Sequence, residues 1–257
     1  MYHREIIAKG NSQVTLICDG KSQTVNLYSP EGLGMIASLW LKLCCEYRVM
    51  YEPTWLGVPV IQLPTDIVMM QELIWKLRPD VIVECGVAHG GSVVLYASLC
   101  ELLGKGRVIG IDVEVRQDNR MAIQNHPMSK RIEIIERNSV DPSAVALVKE
   151  RVQGAQTVLI ILDSNHSYDH VLQELNFYHA LVTPGSYLVA MDGAQAHVWD
   201  VPRGNPEWKE DHPLKAIHKF LSKHPEFQID SHYTRMHVTS CPDGFLRKLT
   251  PDELKQR

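Results

Sequence analysis

The chain of 257 residues has no apolar run long enough to cross a bilayer. Its longest, Val158 to Leu162 with its flanks, falls far short of the roughly 18–20 residues a spanning helix needs. Met1-Tyr2-His3-Arg4-Glu5 lacks the apolar core of a secretory signal. No block of five or six like charges interrupts the sequence, and 26 basic against 30 acidic residues leave a net charge of −4. No global basic field is therefore available to recruit nucleic acid or an anionic membrane, which leaves a small molecule or a glycan as the expected partner. Charged residues are 22% and hydrophobic ones 45%, which excludes disorder, and with 16 Gly and 14 Pro a collagen-like repeat is excluded too. The six cysteines (Cys18, Cys44, Cys45, Cys85, Cys100 and Cys241) show no C-x-x-C spacing. Three of them, Cys44, Cys85 and Cys100, lie in apolar segments where Cys acts as a small hydrophobe, so a reducing cytoplasm is the expected location.

From residue 72 the chain alternates between two periods. Val81 to Gly86 is a β-branched run ending in Gly, followed by a helical stretch from Ser92 to Leu103 that Gly104 stops. Arg107 to Asp112 predicts a second strand, Asn119 to Asn125 a short helix, and Arg131 to Glu136 a third strand. Asp141-Pro142 opens a helix to about Val152, with Asp at the cap and Pro at the first position. Thr157 to Asp163 predicts strand four, Tyr168 to Leu181 an amphipathic helix, and Ser186 to Asp192 strand five. Strands apolar on both faces, alternating with helices, predict a parallel sheet covered on both sides. After a helix at Pro213 to Lys223, two strands at Phe227 to Tyr233 and His237 to Leu249 follow without a helix between them, the second broken by the turn Pro242-Asp243-Gly244. The fold class is thus α/β and Rossmann-like, of the class I methyltransferase type: a mainly parallel seven-stranded sheet with helices on both faces and a C-terminal antiparallel hairpin. Residues 1–63, with polar strand-like pieces at 5–27 and a helix candidate at 33–44, read as an N-terminal cap, and 64–257 as one catalytic unit.

Open parallel sheets bind ligands at the carboxyl ends of their strands. Here those ends are Glu84-Cys85-Gly86, Asp112, Asn138-Ser139, Asp163-Ser164-Asn165-His166 and Asp192. Any one of these is a plausible helix cap; polar groups at all five suit a nucleotide-like ligand. The loop Gly86-Val87-Ala88-His89-Gly90-Gly91-Ser92 lacks the dinucleotide spacing G-x-G-x-x-G. Glu84 would repel a pyrophosphate and attract the ammonium of S-adenosylmethionine (SAM), which disfavours an NAD-dependent oxidoreductase. The cofactor-binding candidates are Glu84, Gly86, His89, Gly90, Ser92, Asp112 (ribose), Ser139 (adenine) and Asp163. His166 is the candidate base and, with Asp163, the catalytic pair. Asp163 and Asp192, on adjacent strand ends, are candidate ligands for Mg²⁺. A zinc alternative through Asp163, His166 and His170 lacks a third nitrogen or sulfur ligand. Trp55 and Gln195 are candidate substrate contacts. Met69-Met70, Trp40 and Trp75 read as core, and His212, His218, His224, His232 and His237 as surface groups.

Trp55-Leu56-Gly57-Val58-Pro59, Gln62-Leu63-Pro64-x-Asp66, Gln71-Glu72-Leu73-Ile74, Ala88-His89-Gly90-Gly91-Ser92, Leu162-Asp163-Ser164-Asn165-His166, His170-Val171-x-x-Glu174-Leu175 and Pro242-Asp243-Gly244-Phe245-Leu246 occur in order. As a set they resemble the cephalosporin hydroxylase / rhamnosyl O-methyltransferase family over roughly residues 50 to 248. The resemblance implies a SAM-dependent O-methyltransferase, often Mg²⁺-assisted, acting on hydroxyls of sugars or of sugar-bearing natural products, in natural product or polysaccharide biosynthesis. It also implies a Glu-Asp pair ending strand five; the Glu is Met191 here, so one anionic ligand is missing unless water, substrate or Gln195 completes the set. The alternative is a SAM-binding accessory subunit of a hydroxylase or methoxylase system, which would not require the intact Asp163/His166 pair. An apolar N-terminal segment suits a homo-oligomer.

Overall fold

The computed structural model describes residues 4–9, 12–18 and 20–256, with side chains for 12–17 and 20–256. Strands β1 (Arg4–Lys9), β2 (Gln13–Cys18) and β3 (Lys21–Asn26) form an antiparallel meander. Helix α1 (Pro30–Glu46) follows, with Ser29 Oγ accepting from Gly32 N at 3.1 Å and Pro at its first position. Strands β4 (Thr54–Trp55) and β5 (Val58–Pro59) form a hairpin whose two turn residues, Leu56 and Gly57, both have positive φ.

The remainder is α2 (Pro64–Leu77), β6 (Val81–Cys85), α3 (Gly91–Leu102), β7 (Arg107–Asp112), α4 (Gln117–Gln124), β8 (Ile132–Glu136), α5 (Pro142–Arg151), β9 (Val158–Leu162), α6 (Tyr168–Tyr178), β10 (Tyr187–Ala190), α7 (Gln195–Val198), α8 (Pro213–Leu221), β11 (Phe227–Ile229), β12 (Phe245–Lys248) and α9 (Pro251–Lys255). The seven-stranded sheet has the order β11-β12-β10-β9-β6-β7-β8, parallel from β10 to β8, with β12 antiparallel to both of its neighbours. The chain winds outward from β6 in one direction and from β9 in the other, so the crevice between their carboxyl ends is the ligand position of such sheets.

Alternation along each central strand builds two apolar layers. Ile82, Leu159, Ile161 and Val189 join Met69, Met70, Leu73 and the almost wholly buried α3 on one face. Val81, Val83, Ile160, Leu162 and Leu188 join Val171, Leu175, Ile217 and Phe220 of α6 and α8 on the other. The five predicted parallel strands are all present. The closing hairpin is shorter than the sequence suggested. Asp230 caps a one-turn helix by accepting from His232 N, which ends β11 at Ile229, and residues 237–244 wrap against α2 before β12 begins. The Pro242-Asp243-Gly244 turn therefore precedes β12 and does not interrupt it. Trp40 and Trp75 are each 50% exposed and anchor no core, whereas Met69 and Met70 are buried as expected. Cys44, Cys85 and Cys100 are buried, and all five described thiols are free. Among the described residues no helix is long and apolar enough to cross a membrane.

Candidate active site

Glu84 lies in the middle of the sheet on the face covered by α3, and it is fully buried. Its Oε2 accepts from Ser92 Oγ at 2.8 Å, while Oε1 is buried with no partner. Burial pushes its carboxyl up to about 8; Ser92 partly offsets this, Asp112 adds to it, and the nearby Tyr96 hydroxyl offsets it a little further. A carboxyl with one oxygen unpaired, sitting under a strand-end crevice, fits a cationic donor: the arriving charge would ionise it and supply the missing hydrogen bond.

The loop above it is held open by backbone geometry. Gly86 has φ +99°, and a Cβ there would lie 2.0 Å from Asp163 O; Gly90 has φ +90°. Asp112 Oδ2 accepts from Val87 N at 2.8 Å and Ala88 N at 3.1 Å, and its Oδ1 accepts from Glu114 N at 3.2 Å. Asp112 therefore fixes the glycine loop. Gly86, His89, Ser92 and Asp163 line a hollow of about 30 Å³ together with Pro59, Ile61 and Gln62. That volume is of the order of one water molecule, so a larger ligand would lie across the open strand ends.

Three polar groups converge at the ends of β9 and β10. Ligand atoms of Asp163, His166 and Asp192 lie within 4.8 Å of one another, with His166 Nε2 3.1 Å from Asp192 Oδ2. Burial, then repulsion from Asp192, Glu84 and Glu174, pushes the Asp163 carboxyl well above the usual range. Asp192 has φ +57°, a conformation that only Gly, Asn and Asp adopt readily. Two oxygens and one imidazole nitrogen at this spacing can hold a divalent cation or, without one, orient the imidazole.

The zinc alternative through His170 is not what folds. His170 Nε2 lies 3.1 Å from both Ser139 Oγ and Ser164 Oγ, and it is not among the ligand atoms that gather around Asp163. Ser164 Oγ also donates to the buried Glu174 at 2.6 Å, and Tyr178 OH donates to Ser139 O at 2.8 Å. With Ser139 Oγ so engaged, the rim beside β8 is tied to the loop carrying His166. Trp55 is half-buried, and its Nε1 donates to Ser98 Oγ of α3 at 2.9 Å, so it is fixed to the helix and lies outside the hollow. Gln195 heads α7 just after Asp192, with Oε1 buried and unpaired.

Sequence reasoning gave no role to Gln62 and Asp66. Gln62 is 2% exposed, donates to Tyr96 OH at 3.0 Å and has an unpaired Oε1. Asp66, in the first turn of α2, accepts from Thr239 Oγ1 at 2.5 Å and from Ser240 N and Oγ at 2.8 Å each. Ser240 O in turn accepts from Ala194 N at 3.0 Å, two residues past Asp192. Both residues, like His170 and Glu174, belong to the family-like motifs, and that membership was the only signal.

Residues 47–249 match the family model for Rhamnosyl O-methyltransferase/CmcI. The chain belongs to that family. Within the rhamnosyl O-methyltransferase/CmcI family it is 28% identical, over 203 residues, to the rhamnosyl O-methyltransferases of Mycobacterium bovis and Mycobacterium tuberculosis, covering 76% of this chain and 78% of theirs. Its fold matches that of CmcI solved with Mg and SAM (TM-score 0.57, 18% identity, 78% of each chain). It also matches MycE, the methyltransferase of the mycinamycin pathway, solved with Mg and S-adenosylhomocysteine (TM-score 0.51, 17% identity, 83% of this chain and 55% of that one). The architecture is that of the class I methyltransferases.

Proposed function

We propose that this family member is a SAM-dependent O-methyltransferase that methylates a hydroxyl of a sugar or of a sugar-bearing natural product. The observation that carries the reading is the unpaired Oε1 of fully buried Glu84 beneath the strand-end crevice. It suits an ammonium and would repel a dinucleotide's phosphates. Bound SAM supplies an electrophilic methyl on a sulfonium leaving group. Glu84 would hold the amino group, the Gly86 and Gly90 turns would let the backbone approach it, and Asp112 would grip the ribose while keeping its hold on Val87 N. His89 and Ser92 line the same hollow, and the backbone at Ser139 would meet the adenine.

The base is His166. With Nε2–H donating to Asp192 Oδ2, Nδ1 keeps a lone pair to take the acceptor's hydroxyl proton as the oxygen–carbon bond forms and the carbon–sulfur bond breaks. Asp163 and Asp192 would hold Mg²⁺, whose chemistry would be to lower the pKa of the acceptor hydroxyl. Burial first, and then repulsion from Asp192, Glu84 and Glu174, raises the Asp163 carboxyl, and a cation there would offset the repulsion. The Met191 position supports only a weakly held one. Gln195, with its unpaired Oε1, is placed to contact the acceptor.

Calorimetric titration of the purified protein with S-adenosylhomocysteine and with NAD, each with and without Mg²⁺, tests the reading. Binding of the homocysteine compound alone supports it; preferential binding of NAD, or of neither, overturns it.

A further inference from the structure

The strand-end cleft is not the only place where metal-ligating side chains converge. At the other end of α6, roughly 16 Å along the helix from the His166 loop, ring nitrogens of His179 and His224 and a carboxylate oxygen of Glu226 lie within 4.8 Å of one another. His179 follows α6, His224 follows α8, and Glu226 precedes β11, so two helices and the edge strand of the sheet meet there. His224, expected from sequence to be a simple surface group, is half-buried because it stacks on Phe220 with centroids 4.1 Å apart.

Each ligand is already oriented. His179 Nδ1 lies 2.8 Å from Asn176 O; a proton on Nδ1 satisfies that carbonyl and leaves the Nε2 lone pair free, which is how backbone carbonyls fix metal-binding imidazoles. His224 Nδ1 lies 3.0 Å from Glu226 Oε1, and the His179 and His224 rings are 4.5 Å apart. The chain is pinned around them. Leu249 N donates to Glu226 O at 2.8 Å, and Lys248 Nζ donates to the carbonyls of Val182 and His179 at 2.8 and 3.1 Å. Lys248 is the nearby cation, and those two carbonyls hold its ammonium.

We propose that His179, His224 and Glu226 form a second metal site, selective for Zn²⁺ and distinct from the cleft, that clasps the ends of α6 and α8 to the edge hairpin. Two imidazoles and one carboxylate are a zinc-type donor set with a fourth position for water, and Mg²⁺, which demands oxygen, is disfavoured there. The cleft, with two carboxylates and one imidazole, has the opposite preference. Because His179 lies 45 residues before His224, and only Glu226 is close to it in sequence, no recognised motif announces the site.

The test uses the full chain in an Asp192→Asn background, which removes one anionic ligand from the cleft and suits the left-handed backbone there. The EDTA-stripped protein is titrated with Zn²⁺ against a chromophoric chelator, and its melting temperature is followed. The expected result is one Zn²⁺ equivalent with a dissociation constant on the order of micromolar or tighter, and a melting temperature raised by several degrees at about a hundred times that concentration. His224→Ala and the shape-preserving Glu226→Gln should each weaken binding more than about tenfold and abolish the thermal shift. Circular dichroism of Glu226→Gln keeps a folding defect from imitating this loss. Zinc uptake that survives both substitutions, or no uptake in this background, overturns the proposal.

Discussion

Replacing Glu84 with Gln removes a charge and almost no volume, and the structure fixes what should follow. In the folded protein the carboxyl titrates near 8, against 4.5 for an ordinary Glu. A carboxyl raised in the folded state binds its proton more tightly there than in the unfolded chain. Its contribution to stability is therefore fully present below the unfolded value and is lost as pH rises toward the folded one. By linkage the loss amounts to about 3 kcal/mol between about pH 4.5 and pH 7. Glu84→Gln should lack that slope. The new amide leaves unpaired donors, a pH-independent cost of about 1–3 kcal/mol that displaces the variant's curve without tilting it. Urea denaturation of both proteins across this range, read as the difference between the two curves, isolates the effect. Ligand binding supplies the second arm. S-adenosylhomocysteine carries the same ammonium, so at pH 7 its binding to the parent should release close to one proton, measurable by calorimetry in buffers of different ionisation enthalpy. The variant should release none and bind roughly 10- to 150-fold more weakly. Parallel stability curves, or equal binding without proton release in the parent, would refute the role of Glu84.

Three further outcomes are expected. His166→Ala should cut turnover by about 10²–10⁴ while leaving affinity for S-adenosylhomocysteine within a few-fold; retained turnover would leave His166 without a role as base, and lost cofactor affinity would make it a structural member of the cleft. EDTA should lower activity and millimolar-range Mg²⁺ restore it, whereas indifference to EDTA would assign Asp163 and Asp192 to orienting His166 alone. Asp66→Ala should destabilise the fold by about 3 kcal/mol in urea, because it strands the buried Thr239 and Ser240 donors that Asp66 now accepts from; a loss under about 1 kcal/mol would mean that water replaces the carboxylate.

The parallel core was legible because burial on both faces leaves a direct trace in composition. Val81 to Val83 and Val158 to Leu162 are uninterrupted apolar runs, and each ends in a group with no place in a hydrophobic layer. The three-stranded N-terminal sheet left a weaker trace, since β3 exposes most of its residues and carries little alternation. Trp40 and Trp75 misled for a related reason: tryptophan signals an anchor by size, but whether another element covers it depends on topology. Asp66 was illegible in principle. It looks like an acidic residue in the first turn of a helix, where the dipole favours one, and its partners lie more than 170 residues away. Glu174 and His170 sat on what reads as the polar face of an amphipathic helix. Ser139 and Ser164 cover that face, both hydroxyls lying 3.1 Å from His170 Nε2 and that of Ser164 donating to Glu174.

The approach of Gly86 to Asp163 has a mechanical consequence. No side chain fits between the loop that would seat the cofactor and the loop that carries the reacting groups, because a Cβ at residue 86 would lie 2.0 Å from the Asp163 carbonyl. The two loops are therefore geared together, and a shift of one displaces the other. Any displacement of the Gly86 loop is thus passed through bare backbone to the segment that runs from Asp163 to His166.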